Sequence, residues 1–545
     1  MSETPASLPS STSAGTGRVD GSVIAGGQLR VAALLVALAP FAWLVTRFNF
    51  LTDDGYITFR YSRNFADGHG LVYNLVDGAP LDQPVEGYSE FLWAVLLRLG
   101  MDLGVDPELF SRVLSITAGA LLVFLTVTLA ARWLGDRPVA LLGTSLFLGT
   151  APPLGVWSTG GMATMPAAFL GVATLYLIDR ISRRSGASGF LAPGIGLGIT
   201  AGLLALMRAD AALMVAFLLG PAFLGGLVRR DDRVWKSALL AIAISVAIFG
   251  VHVAWRHSVY GDWLPNTARA KLGFSSQAAG RGLDYVVSNV LSMPGLGIAL
   301  ATGLLGAVFG ARRVGAPVAL ALVAVIVGVP AYSIAAGGDF MAFSRFLVPA
   351  IPFAALGFGL FLGSLEKRSK TAAALLVLGT VGTSVSAAFG IQVVSEETRA
   401  KFEFRHNQTQ GRVERADSEL AQWENMKNRA EEWALAGRSL AEYTKPEESL
   451  VAGAVGAIGY YSNLFIYDRN GLVTREVALR PAPDELRSPG HDKVVPRSFF
   501  HKYRPTYINA GVCKEEDFPP ARGAIKLGPT TKPGVIAWIV RGAQH

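Results

Sequence analysis

Two aspartates stand side by side in Leu51-Thr52-Asp53-Asp54-Gly55-Tyr56-Ile57-Thr58-Phe59-Arg60-Tyr61-Ser62-Arg63-Asn64, and two arginines follow. Adjacent like charges repel, and this pair begins a few residues after an apolar run that ends near Phe48, where acids are costly. Carboxylates kept in such a place can take a proton as a general base, share a divalent cation, or cap a helix. Asp54 can cap a helix that starts at Gly55 or Tyr56, which would put Arg60, Arg63 and Asn64 on one face by i, i+3 and i+4 spacing. Capping leaves Asp53 unexplained. Asp53 and Asp54 are therefore the candidate catalytic acids, and also the candidate ligands of a divalent cation.

Similar mixtures of charge recur wherever an apolar run ends. Glu86 lies in Pro84-Val85-Glu86-Gly87-Tyr88-Ser89-Glu90-Phe91-Leu92-Trp93, which leads into an amphipathic stretch ending near Met101. That stretch is too short to span a bilayer and carries Trp at its start, as an interfacial helix does. Arg208 and Asp210 sit in the short link between two runs. The segment WRHSVYGDWLPNTARAK, residues 255–271, mixes aromatic rings with Arg256, His257, Arg269 and Lys271, and also contains Asp262 and Asn266. Lys and Arg donate to phosphate oxygens, and aromatic rings settle at headgroup level, so the mixture suits a lipid phosphate. In AGGDFMAFSRF, residues 336–346, the glycines allow close backbone approach, beside Asp339 and Arg345. The expected phosphate-side cations are Lys271, Arg345, Arg60 and Arg208. Glu86, Asp262, Asn266 and Asp339 are the neighbouring polar groups that could hold a ligand's hydroxyl groups or a cation. The chain contains no glycine-rich phosphate loop, HExxH or paired CxxC, so soluble nucleotides, zinc and redox cofactors find no support. Cys513 is the only cysteine, so an intrachain disulfide is excluded.

The elements that must position these residues are membrane helices. Of the 545 residues, 51% are hydrophobic and 17% charged, with a mean hydropathy of +0.39, whereas soluble domains carry about 25% charge. Apolar runs fall at about 31–48, 111–131, 138–156, 162–179, 190–206, 211–228, 236–255, 289–310, 317–335, 346–363 and 371–391, which predicts about eleven transmembrane helices. Every second short connector is basic (Arg132 and Arg137; Arg180, Arg183 and Arg184; Arg229, Arg230, Arg233 and Lys236; Arg312 and Arg313; Lys367, Arg368 and Lys370). The positive-inside rule then puts these connectors and the amino terminus in the cytoplasm. Topology also accounts for the net charge of +8, so no nucleic-acid partner is expected. The expected organisation is a disordered cytoplasmic tail at 1–28 and a transmembrane unit at 29–394, whose first extracytoplasmic loop is 49–110. An extracytoplasmic α/β domain follows at 395–545, where SLVAGAVGAIGYY, LFIYD, PTYIN and VIAWIV read as strands.

DDGYITFRYSRNFADGHGLVYN, VEGYSEFLW, YGDWLPNTARAK and GGDFMAFSRFLVPAIP, followed by GAVGAIGYYSNLFIYDRNGL, resemble in order the motifs of the AftB-like terminal arabinofuranosyltransferases. These belong to the GT-C class of integral membrane glycosyltransferases. The resemblance implies a transferase in the bacterial plasma membrane that uses a sugar linked to a decaprenyl or undecaprenyl phosphate, with its acidic motif in the first extracytoplasmic loop. It implies arabinofuranose as the sugar and a cell-envelope glycan as the acceptor. In that reading Asp53 or Asp54 is the base, and the outer domain, with Tyr460, Tyr461 and His491, helps to hold the acceptor. One departure stands out: where relatives commonly have Gly-Leu/Met-Glu-Thr, this chain has Gly161-Met162-Ala163-Thr164, with Ala163 at the acidic position. The alternative is a lipid-linked-glycan flippase or transporter. It predicts internal repeats and polar residues in both membrane halves, whereas here the polar candidates gather on one side and no repeat is evident.

Overall fold

The computed structural model describes residues 21–76, 79–80, 84–183, 189–271, 275–404 and 416–542. Of the expected tail at 1–28, residues 1–20 lie outside the described residues, and the remainder is the start of the first helix, α1 (Gly21–Arg47). The first loop holds α2 (Asp53–Ala66), a short antiparallel pair β1 (Leu75–Val76) and β2 (Ala79–Pro80), and α3 (Phe91–Asp102). Then follow α4 (Pro107–Leu134), α5 (Pro138–Thr150), α6 (Pro152–Trp157), α7 (Thr164–Arg183), α8 (Leu191–Met207), α9 (Ala211–Val228) and α10 (Asp232–Tyr260). The second half continues with α11 (Asn266–Ala270), α12 (Ser276–Ser292), α13 (Pro294–Phe309), α14 (Ala311–Val314), α15 (Ala316–Ala335), the 3₁₀ turn Arg345–Ala350, α16 (Ile351–Glu366) and α17 (Lys370–Val385).

All eleven apolar runs are helical, but they are not eleven equal spans. Among the described residues eight helices are long and apolar enough to cross a membrane, or nine if α12 and α13 count as one bent crossing. The run at 138–156 breaks at Ala151, because the two prolines that follow it, Pro152 and Pro153, disfavour helix in the preceding residue and start a new one. Its first part, α5, has only 13 residues, and α8 has 17. The run at 289–310 bends by 106° ahead of Pro294. Small residues set the packing: a Cβ on Gly306 would overlap the carbonyl of Gly357, and one on Gly357 the carbonyl of Gly303, so α13 and α16 meet backbone to backbone.

Basic connectors close on one another at one end of the bundle. Arg132 and Arg183 both bind Asp179, at 2.7 and 2.6 Å, Arg137 donates to the Gly363 carbonyl at 2.7 Å, and Arg313 donates to the Leu134 carbonyl at 2.8 Å. The opposite end carries the first loop and the carboxyl-terminal α/β domain. That domain holds α18 (Glu396–Ala400), α19 (Glu419–Tyr443), α20 (Ala457–Ser462) and α21 (Arg475–Ala478). Its sheet consists of β3 (Ser449–Ala452), β4 (Phe465–Asp468), β5 (Tyr507–Lys514), β6 (Ala524–Pro529) and β7 (Val535–Arg541), in the order β4-β3-β5-β7-β6. β3 runs parallel to β4 and β5, while β5, β7 and β6 are antiparallel. The stretch GAVGAIGYY, expected as strand, forms the turn into α20 instead, and β6 has no counterpart in the sequence reading.

Candidate functional site

The strongest concentration of charge lies where α8, α9, the 336–345 loop and the first loop converge. Arg345 enters it from a tight turn in which Phe343 and Ser344 both take left-handed backbone conformations, with φ of 54° and 52°. Non-glycine residues adopt that region at a cost, so the surroundings must hold it. Ser344 Oγ donates to Asn289 Oδ1 at 2.6 Å, the Phe343 amide donates to the Glu419 carboxylate, and Trp157 Nε1 donates to the Phe343 carbonyl at 3.1 Å. Arg345 thus delivered grips Asp339 at two points, 2.7 and 3.0 Å, and its other terminal nitrogen lies 3.9 Å from Asp54.

Arg208, just past the end of α8, binds Asp210 at two points, both 2.9 Å, and Glu90 at 3.1 Å. The other oxygen of Glu90 accepts from the amide of Ala163 at 3.3 Å, so a carboxylate from the first loop lies against the position where this chain lacks an acid. Burial works against charge on both acids. Arg208 overcomes it for Asp210, whose carboxyl stays below its ordinary range, whereas Glu90 remains above it. Lys271, exposed at the edge of this cluster, senses Arg345, Asp210, Asp339 and Arg208. Below these charges a narrow cleft with a free volume of about 50 Å³ opens between helices, with Arg208, Arg345 and Tyr332 at one end and walls that include Leu204, Met214, Phe217 and Val329. Cations above an apolar slot suit an anionic headgroup carrying a hydrocarbon tail.

The two adjacent aspartates have separate surroundings. Thr52, and not Asp54, caps α2: its hydroxyl accepts from the Gly55 amide at 3.2 Å, and the helix begins at Asp53. Asp54 is then free to face Arg345, with its side chain one-third exposed at 33%. Asp53 instead reaches α20, where its two oxygens accept from the amides of Ala457 at 2.7 Å and Gly456 at 3.0 Å. Burial pushes its carboxyl up to about 7 against the pull of those amides. The pair does not present two carboxylates to one ion, and no group of three or more His, Cys, Asp or Glu side chains placed to hold a metal occurs among the described residues.

Arg60 is not beside the cleft either. Its guanidinium is buried, donates to the carbonyls of Gly459 and Leu464 at 2.8 Å each, and stacks 4.2 Å from the Tyr73 ring. Arg63 donates to the Tyr460 carbonyl at 2.8 Å and to Asn463 Oδ1 at 3.0 Å. One face of α2 therefore puts an acid at the amino end of α20 and arginines at its carboxyl end, matching the orphan amides and carbonyls of a short helix. Gly456 permits the approach, since a Cβ there would overlap the Asp53 backbone.

Three other expected ligands are structural partners. Glu86 pairs with buried Arg256, and Asp262 binds Arg475 at 2.9 Å and also Arg269. Asn266 donates to the carbonyls of Gly471 and Leu472 at 2.8 and 2.7 Å. A buried acid with a nearby arginine is satisfied by it; Glu86 thus ties the first loop to α10, Asp262 and Asn266 tie their loop to the carboxyl-terminal domain, and none of the three lines the cleft. Tyr460 packs on Tyr56 and Phe59, while His491 sits edge-on to Phe340, 4.9 Å between centroids. Of the expected residues, Asp54, Lys271, Arg345, Arg208 and Asp339 come together. Sequence reasoning does not single out Glu90, Tyr332 or Asn289, whereas the Arg208–Asp210 pair is visible in it; Glu90 has a signal, as an acid four residues after Glu86 in the same motif.

Comparison with known proteins gives three findings. Residues 419–536 match a family described as a domain of unknown function, DUF8728. The terminal β-(1→2)-arabinofuranosyltransferase of Mycobacterium tuberculosis is 28% identical over 341 residues, covering 55% of this chain and 51% of that protein. The chain thus spans about half the length of this curated relative. Among solved structures, ArnT from Cupriavidus metallidurans bound to undecaprenyl phosphate aligns with a TM-score of 0.53 at 16% identity, over 95% of this chain and 98% of ArnT. The apo form of ArnT aligns with a TM-score of 0.54. The fold is similar to that of ArnT: a polytopic helical membrane protein, here with a carboxyl-terminal α/β domain.

Proposed function

We propose that this chain is a GT-C-like membrane glycosyltransferase that moves arabinofuranose from a polyprenyl-phosphate donor to a cell-envelope glycan. The observation that carries the reading is Asp54, 3.9 Å from Arg345, at the head of an apolar cleft where Arg208 and Arg345 converge near Lys271. The likeness to a curated arabinofuranosyltransferase supports the sugar, and the undecaprenyl phosphate bound by ArnT supports the class of donor.

In this reading the tail of the donor lies in the apolar cleft and its phosphate faces Arg345, Arg208 and Lys271. Asp54 takes the proton of the acceptor hydroxyl as that oxygen forms a bond to the anomeric carbon. The bond from the anomeric carbon to the phosphate oxygen breaks, and the electron pair leaves on the polyprenyl phosphate. The three cations meet charge that grows in the transition state, where electrostatic help is most effective. Asp339 and Glu90 hold two of those cations in place. Asp53, which clamps α20, positions its neighbour and does not take the proton. The basic end of the bundle faces the cytoplasm by the positive-inside rule, which puts the cleft head and the unit from about 395 onward outside the cell.

The test is incubation of the purified protein with a panel of short-chain polyprenyl-phosphate sugars and an arabinan acceptor. Consumption of the arabinofuranose donor with elongation of the acceptor is the expected result. Binding of donor with no transfer to any acceptor would overturn the transferase and favour a flippase.

A further inference from the structure

Lys271 and Arg345 stand on two separate loops of the membrane unit, and both loops are tied to one turn of the carboxyl-terminal domain, His491-Asp492-Lys493. Asp492 binds Arg281 of α12 at two points, 2.8 and 3.0 Å, and Arg281 Nε donates to the Gly337 carbonyl at 3.0 Å. The His491 ring meets Phe340, three residues further on, edge-on at 4.9 Å. Gly337 and Phe340 belong to the loop that delivers Arg345. Lys493 Nζ donates to the carbonyls of Arg269 at 2.8 Å and Ala478 at 2.9 Å. Arg269 lies two residues before Lys271, whose own amide donates to the Thr267 carbonyl at 3.2 Å.

Each link in these two paths is stiff. Asp492 and Arg281 are both buried, and a buried pair of charges is tolerated only with good geometry on both partners. Gly337 has φ of 79°, and a Cβ on it would stand 3.0 Å from Arg281 Nη2, so the close approach calls for glycine. The turn is itself held: the Arg487 amide donates to Asp492 Oδ1 at 2.8 Å. The Val495 amide donates to the Arg469 carbonyl at 2.9 Å, and Arg469 Nε donates back to the Val495 carbonyl at 2.8 Å. A cation is favoured at the carboxyl end of any helix. Here one ammonium joins two such ends, those of α11 and α21.

His491, Asp492 and Lys493 do not line the apolar cleft, so any effect on a ligand there passes through the loops. Two adjacent residues on one rigid turn fix the spacing of whatever they hold. We propose that Asp492 and Lys493 are positioning residues for the donor phosphate: Asp492 sets Arg345 through Arg281 and Gly337, and Lys493 sets Lys271 through Arg269. The proposal rests on the donor-site reading above. It adds that the carboxyl-terminal domain, and not the membrane helices alone, fixes the distance between the two cations. Preorganised charges lose much of their effect when displaced by about 1 Å.

The probe is a short-chain polyprenyl phosphate, titrated into the full-length protein in detergent. Lys493→Met should weaken its binding about 10-fold, the size of one charge-assisted hydrogen bond lost, and Lys493→Arg should restore it. The second path is opened by Arg281→Met combined with Asp492→Leu, which leaves no buried charge unpaired and so spares the fold. This pair should also cost about 10-fold, and melting temperatures close to wild type check all the variants. The decisive measurement is non-additivity. Lys493→Met should cost nothing further in a Lys271→Ala background, and the Arg281/Asp492 pair nothing further in an Arg345→Ala background. Wild-type affinity in both sets of variants, or losses that persist in full in those backgrounds, would overturn the proposal. If Lys271→Ala and Arg345→Ala themselves bind the probe as wild type does, the donor-site reading fails and takes the proposal with it. Binding that follows the predicted pattern without any sugar transfer in parallel assays would sink the transferase and leave the positioning residues standing.

Discussion

Asp53 and Asp54 are chemically identical and adjacent, so what separates them is what each carboxylate touches. Asp54 faces a guanidinium and solvent, while Asp53 is spent on two amides of α20. Asp54→Asn keeps the shape and removes the base, so turnover should fall by about 10²–10⁴-fold while donor binding survives. Wild-type turnover by this variant would remove Asp54 from the chemistry. Arg345→Ala and Lys271→Ala each delete a cation at the phosphate end, and donor affinity should drop by about 10- to 150-fold, the equivalent of about 1.5–3 kcal/mol. Asp53 should show itself through stability. Its folded pKa, raised to about 7 from an ordinary 3.8, means that the folded protein binds the proton more tightly than the unfolded chain. The stabilising contribution is complete below the unfolded value and is lost as pH rises through the folded one. The melting-temperature advantage of wild type over Asp53→Asn should therefore shrink between pH 4 and 7. A difference that stays flat across that window would refute the assignment.

Three residues of α2, Asp53, Arg60 and Arg63, bind α20 and the turn that follows it, and these contacts join the first loop to the carboxyl-terminal domain. Arg60 is the test of that arrangement. Its removal leaves the Gly459 carbonyl with the Asn463 amide at 3.3 Å and takes from the Leu464 carbonyl its arginine donor, at a cost of about 1–3 kcal/mol for a buried group left unpaired. Arg60→Ala should lower the melting temperature and speed proteolytic release of the outer domain. Donor affinity should change far less than in Arg345→Ala. A loss of donor binding equal to that of Arg345→Ala, with stability intact, would return Arg60 to the phosphate site.

Across the whole molecule, charge separates into two ends. The basic connectors meet at one, through contacts such as Arg132–Asp179 and Arg137–Gly363, while the cleft head and the α/β domain share the other. Single cysteines at Lys367 and Asp484, both exposed, probe the two ends after Cys513 is replaced. In intact cells an impermeant thiol reagent should label Asp484→Cys and spare Lys367→Cys. The reverse pattern would put the cleft on the cytoplasmic side and end the proposed use of an extracytoplasmic donor.

The membrane character, the eleven helical runs and the gathering of polar residues at one end of the bundle were all legible in the sequence, because hydropathy and loop charge are local properties that twenty residues suffice to express. So were Asp54, Arg208, Lys271, Asp339 and Arg345, since charge that persists beside apolar runs signals a site whatever the packing. Burial and pairing, in contrast, are decided at a distance. Arg60 and Leu464 are 404 residues apart, Arg256 and Glu86 170, and Arg208 and Glu90 118, and no local pattern tells an arginine that meets a ligand from one that meets a carbonyl or an acid of another segment. The fate of the two aspartates is the clearest case. The sequence identifies an acidic pair at the membrane surface. Only the docking of α20 on α2 determines that Asp53 becomes a clamp and Asp54 is left facing Arg345, because a carboxylate's role follows from the groups that surround it in space.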